Sequence, residues 1–298
     1  MKNKKTLGYL QLSMGMIFAG SSVVVGKILQ PYPVFFAVDL SLIIAVIFIY
    51  PIAIIVEGRI KIKEVKKSEW KYIILQSLMG IVFFRIFMML GLKYTSAMKA
   101  GIVLSATPAV LAILARLFLK ENITKIMVIG ISLCVVGILL INISRIEIKS
   151  FNVNELIGMF FILISVISEA MFTIFRKKQG SGEKPLISTF LVMLIAFVLL
   201  LPLGINDFVS MDKSVLGIDI ILPIVYYGVF ASALAYVCWF SGLVKVNANE
   251  AAAFTGLMPI ASVLLSVIVL GEKIRLVYIF GIVCILLGIN LITKKKTI

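Results

Sequence analysis

The chain has 298 residues, of which 61% are hydrophobic and 14% charged, with a mean hydropathy of +1.14. A soluble domain carries about 25% charged residues, so the composition excludes a water-facing globule and describes an all-α integral membrane protein. The net charge of +15 comes from Lys and Arg set in the breaks between apolar runs; that placement fits a membrane flanked by positive charge and not a nucleic-acid partner.

A spanning helix needs about 20 mostly apolar residues. In chain order ten segments meet or approach that length: 7–29, 33–56, 72–92, 97–119, 126–143, 155–175, 186–204, 219–244, 250–270 and 275–293. The first has the basic start of a secretory signal, but its apolar run continues through Val25 and the repeat described below uses it as a helix. The longest connection, 57–71, is too short for a soluble domain. With the N-terminus placed in the cytoplasm, the inner connections receive 19 Lys and Arg and the outer ones 8. The sequence therefore predicts a multi-pass protein of the cell membrane with both termini cytoplasmic.

Residues Gly91–Ile141 align without a gap on Gly242–Ile292, an offset of 151, with 15 of 51 positions identical. Apolar matches come cheaply in such a composition. The pairs Pro108/Pro259, Glu121/Glu272, Gly130/Gly281 and Gly137/Gly288 do not, and Pro51/Pro202 obeys the same offset. Five spans plus five predict two units, 1–147 and 152–298. Because five is odd, the second unit enters the membrane from the opposite side. Ten helices as two inverted five-helix repeats around a central cavity are a construction typical of secondary transporters. Pro108 and Pro259 fall mid-span, where a lost amide donor bends a helix, and they are the hinge candidates. Glu121 and Glu272 end matched spans and are expected to cap the helix that follows each.

The stretches "FAGSSVVVGKIL" (18–29) and "SALAYVCWFSGLVKVNANEAAAFTGLMPIASVLLSVIVLGEK" (232–273), with the closing helix "YIFGIVCILLGINLI", resemble EamA-type transporters of the drug/metabolite transporter superfamily. The resemblance covers essentially the whole chain as two EamA repeats. It implies a ten-helix bundle with a cavity between its halves and export of amino acids, other metabolites or toxic analogues. Asp39 departs from the pattern, standing where such proteins usually carry Arg, so the resemblance does not assign a substrate.

Ionisable groups at membrane depth cost about 2.5–3.5 kcal/mol or more and mark cavities or partners. Arg85 lies about 20 Å from the cytoplasmic end of its span and Asp39 at a similar depth, counting ~1.5 Å per residue. An Asp39–Arg85 ion pair is thus allowed by depth. Glu169 lies about 10 Å deep from the same face. The offset carries Arg85 to Tyr236 and Met88 to Trp239, and Ser232, Tyr236 and Trp239 share one face at i, i+4, i+7. The substrate-cavity candidates are Ser21, Ser22, Arg85, Met88, Glu169, Thr173, Ser232, Tyr236 and Trp239. In a functional reading Arg85 engages a substrate carboxylate and an acid engages its ammonium or a coupling proton; the alternative is a permanent structural ion pair.

With no His in the chain, an imidazole metal site or proton relay is excluded. Cys134, Cys238 and Cys284 sit in three separate apolar runs as packing residues. No GxxxxGK[ST] motif is present, so ATP is not the direct energy source. No catalytic cluster, metal or cofactor is expected. The sequence predicts a secondary-active exporter of small metabolites working by alternating access, with the bilayer and a small-molecule substrate as partners. A channel or a non-transport scaffold or receptor is the alternative.

Overall fold

The computed structural model describes residues 2–29, 32–58, 66–95, 97–143, 153–179, 184–213, 216–271 and 276–293. Every regular element among them is helical. These are α1 (Lys2–Leu29), α2 (Val34–Glu57), α3 (Lys67–Tyr94), α4 (Ala97–Leu104), α5 (Thr107–Leu119), α6 (Lys125–Ile143), α7 (Val153–Gln179), α8 (Pro185–Ser210), α9 (Ile218–Leu243), α10 (Ala248–Phe254), α11 (Leu257–Leu270) and α12 (Leu276–Thr293). Among the described residues nine helical stretches are long and apolar enough to cross a membrane, α10 and α11 counting as one. The two remaining helices are α4, with 8 residues, and α5, with 13; even α5 is only about 20 Å long, and neither crosses alone.

Two expected spans are broken. The segment 97–119 divides at Ser105–Ala106 and the segment 250–270 at Thr255–Gly256. Pro108 and Pro259 therefore do not kink the interior of a continuous helix. Each lies in the first turn of the helix after the break, where a missing amide is tolerated because it has no partner anyway. Both second segments also end alike: Lys120 (φ 55°) and Gly271 (φ 67°) adopt the left-handed cap that closes a helix.

The helices α3 and α9 each contain a π-helical stretch, Leu78–Phe83 and Tyr227–Leu234. Each widens the helix locally and re-aims the side chains beyond it. The two stretches overlap when shifted by 151 residues.

Close packing also follows the offset. Helices α6 and α12 cross with backbone nearly touching: a Cβ at Gly137 would lie 2.5 Å from the Gly281 carbonyl oxygen, and one at Gly281 2.7 Å from that of Gly137. Gly130 meets Gly288 in the same way. Helices α2 and α8 run side by side and cap one another. Glu57 at the end of α2 accepts from the Leu186 and Ile187 amides, both at 3.0 Å. Asp207 near the end of α8 accepts from the Phe35 and Phe36 amides at 2.8 and 3.3 Å. A carboxylate at a helix N-terminus satisfies orphan donors and the helix dipole together. Without these caps, both ends would leave amides unpaired at the membrane edge.

Candidate functional site

The helices α1, α3, α5, α7, α9 and α11 enclose a cavity. Its volume is about 140 Å³, space for roughly five water molecules at about 30 Å³ each. That suits a small solute.

Six pairs of lining residues stand at the 151-residue offset: Ala19/Ala170, Ser22/Thr173, Gly80/Ala231, Phe84/Ala235, Arg85/Tyr236 and Thr107/Met258. Residues 151 positions apart thus line one space in pairs. The π-helical stretches bring Gly80 and Ala231 to the wall. At Gly80 the missing side chain leaves the space that the Phe172 ring fills.

The polar equipment is sparse. The Arg85 guanidinium lies over the Tyr227 ring, 5.6 Å from its centroid, an attraction that orients the cation without neutralising it. The Tyr236 hydroxyl reaches the Gly80 carbonyl at 3.5 Å, the outer limit of a hydrogen bond. Phe172 packs edge-on against Tyr236 and tilted against the buried Phe240, at 5.4 Å in both cases. Glu169 reaches the same cavity from α7. Lys5 and Glu250 form an ion pair at 2.7 Å outside the cavity, but among the described residues neither Arg85 nor Glu169 is held by an opposite charge.

Of the nine cavity candidates, Ser22, Arg85, Glu169, Thr173, Tyr236 and Trp239 line the cavity, whereas Ser21, Met88 and Ser232 do not. Ser21 is buried and donates back to the Phe18 carbonyl at 2.6 Å. Ser232 is buried inside the π-helical stretch, where the i, i+4 rule that placed it beside Tyr236 does not hold. The Asp39–Arg85 ion pair is not formed. Asp39 is buried against Gly204 of α8, while Arg85 turns to Tyr227; shared depth does not put two residues on facing sides of their helices. Glu121 does not cap α6, the helix that follows it. Its carboxylate crosses to α10 and accepts from the Ala248 and Asn249 amides at 2.8 and 2.9 Å. Glu272 lies outside the described residues.

Sequence reasoning missed Tyr227, Phe172, Thr107 and Thr255 at the cavity. Tyr227 was available as an aromatic in an apolar run, but nothing in the periodicity pointed it inward. Thr255 sits at a helix break that hydropathy does not register.

The profile of the EamA-like transporter family matches residues 6–143 and again 156–294. An uncharacterized transporter of Bacillus subtilis, YetK, is 34% identical over 98% of this chain and 89% of its own length. An uncharacterized transporter of Archaeoglobus fulgidus is 28% identical over 83% of this chain and 84% of its own. A solved crystal structure superposes with a TM-score of 0.81 at 15% identity, covering 98% of this chain and 97% of the other; at that identity it shows the fold alone.

Proposed function

The chain belongs to the EamA-like transporter family, and on that premise we propose that it is a secondary-active exporter of small zwitterionic metabolites, such as amino acids or their toxic analogues. It is a multi-pass membrane protein whose relatives are named as transporters. In this reading ten spans form two inverted repeats, 1–147 and 152–298, with both termini in the cytoplasm. The reciprocal contacts support it: Gly130 meets the counterpart of Gly137, Gly137 meets the counterpart of Gly130, and α2 and α8 cap each other. Such reciprocity is what a two-fold axis generates.

The observation that carries the substrate class is Arg85 and Glu169 on the walls of one cavity, each without an opposite charge beside it. A lone charge inside a membrane costs about 2.5–3.5 kcal/mol or more, and a ligand bearing both charges offsets two such costs at once. The substrate carboxylate takes the planar fork of Arg85. Its ammonium takes Glu169, which is also the place for a coupling proton to compete with it. Phe172, Tyr227, Tyr236 and Trp239 cover the rest of the molecule. The helix breaks before Pro108 and Pro259 are the hinges between two access states.

Cells loaded with amino-acid dipeptides test this. The wild type exports selectively. Arg85→Ala and Glu169→Gln each lose about 1.5–3 kcal/mol of substrate binding, roughly 10- to 150-fold. Efflux that survives both substitutions contradicts the charge-pairing reading. Saturable exchange between two labelled pools identifies a carrier; unsaturable flux identifies a channel.

A further inference from the structure

Below the cavity, on the face that carries the start of α1, four first-half residues grip one short stretch of the second half. That stretch runs from Gly242 at the end of α9 to Phe254 at the end of α10. Lys5 donates to Glu250 at 2.7 Å. Tyr9 stacks on Phe254 with centroids 5.3 Å apart and turns its hydroxyl to Glu250. Gln11 accepts from the Lys245 ammonium at 2.7 Å, which burial holds below the usual lysine range. Glu121 caps the Ala248 and Asn249 amides. From the second half itself, Lys177 donates to the Leu243 and Val246 carbonyls.

These contacts differ in kind from most of the bundle. Apart from the Glu57 and Asp207 caps between α2 and α8 and the Gln76–Gln179 and Ser77–Val192 hydrogen bonds, the halves meet mainly through apolar side chains and close backbone, which slide at little cost. Here they meet through charges, which need a partner or water in any state that parts them. Glu250 is shared: one oxygen takes Lys5 and the other the Asn247 amide, so moving α1 away disturbs the start of α10. Asn249 is wholly buried with both side-chain amide atoms unpartnered. A buried polar group without partners is costly where it is and gains from any movement that admits water.

Resting on the transporter reading and its orientation, we propose that the Lys5–Glu250, Gln11–Lys245 and Glu121–α10 contacts are the cytoplasmic gate, closed in this structure, and that they part as one unit to admit substrate from the cytoplasm. Glu121 is the dominant latch, because one carboxylate holds two amides of the opposite half. Lys5 contributes less, since its side chain is 46% exposed and exposed pairs are weak.

The test needs no substrate. A Thr173→Cys reporter faces the cavity, in a background with Cys238 and Cys284 replaced by Ser; Cys134 is wholly buried. Inside-out and right-side-out vesicles are treated with a membrane-impermeant thiol reagent. Adding Glu121→Gln raises the cytoplasmic labelling rate about tenfold, the shift expected from losing charge-assisted bonds in one of two states. Lys5→Met raises it a few-fold and leaves the buried packing intact, so it reads the gate even if Glu121→Gln folds poorly. Cytoplasmic labelling that ignores both substitutions, in a reporter reachable from either face, overturns the gate alone. A reporter unreactive from both faces in every variant removes the cavity reading and the gate with it.

Discussion

Gly137→Ala adds one methyl group at the α6–α12 crossing, and its cost can be worked from the structure. The new Cβ would lie 2.5 Å from the Gly281 carbonyl oxygen, with the Ile285 side chain at 2.7 Å and the Ile285 amide nitrogen at 3.0 Å. Carbon and oxygen normally meet beyond 3.3 Å, so the helices must part by most of an ångström. Two of the three obstacles are backbone, and no rotamer change relieves them. Overpacking of this kind costs about 1–3 kcal/mol, and parting the helices also loosens the Gly130–Gly288 contact, which places the value near the upper end. Gly281→Ala meets the Gly137 carbonyl oxygen at 2.7 Å and should cost about as much. Gly26→Ala in α1 is the internal control. No atom outside its own helix lies within 4 Å, and replacing this glycine in the last turn of α1 gains at most roughly 0.5–1 kcal/mol. Thermal unfolding of the detergent-solubilised variants, followed by size-exclusion, should rank Gly26→Ala above wild type and both crossing variants well below it. Crossing variants as stable as Gly26→Ala would refute the close approach, and with it the reciprocal contact that supports the two-fold arrangement.

Lys120→Gly should raise thermal stability by up to about 1 kcal/mol, because the left-handed cap strains any side chain there; Gly271 fills the matching cap on α11. Asp207→Ala and Glu57→Ala should each cost about 1–2 kcal/mol by stripping a two-amide cap, and the double variant should be close to additive, since the caps sit at opposite ends of the α2–α8 pair. Ser21→Ala should leave any transport activity unchanged, whereas Tyr227→Ala should weaken substrate binding by about 0.5–2 kcal/mol through loss of the ring that orients Arg85; initial-rate measurements over a range of substrate concentrations separate the two.

Much of the bundle was legible because hydropathy reports exclusion from water directly, and the 151-residue offset needs only matched Pro, Gly and Glu. The same offset leads to half of the cavity wall, as Arg85/Tyr236 and Ser22/Thr173 illustrate. What stayed hidden depends on which way a side chain turns. The π-helical stretch around Ser232 breaks the regular phase on which its placement relied. Asp39 and Arg85 share a depth but not a facing side. The breaks at Ser105–Ala106 and Thr255–Gly256 leave hydropathy unchanged, so only the prolines hint at them. Glu121 looked like a local cap because its partner lies 127 residues away, beyond any local pattern.

The central claim is that one zwitterion bridges Arg85 and Glu169. Thermal stabilisation of the purified protein by an exported amino acid, by its amide and by its deaminated acid tests this directly, in the wild type, Arg85→Ala and Glu169→Gln. The amino acid should stabilise the wild type most. Removing the ligand's carboxylate should add no further loss in Arg85→Ala, and removing its ammonium none in Glu169→Gln. Equal stabilisation of all three proteins by the amino acid, or ligand and protein losses that add independently, would contradict it.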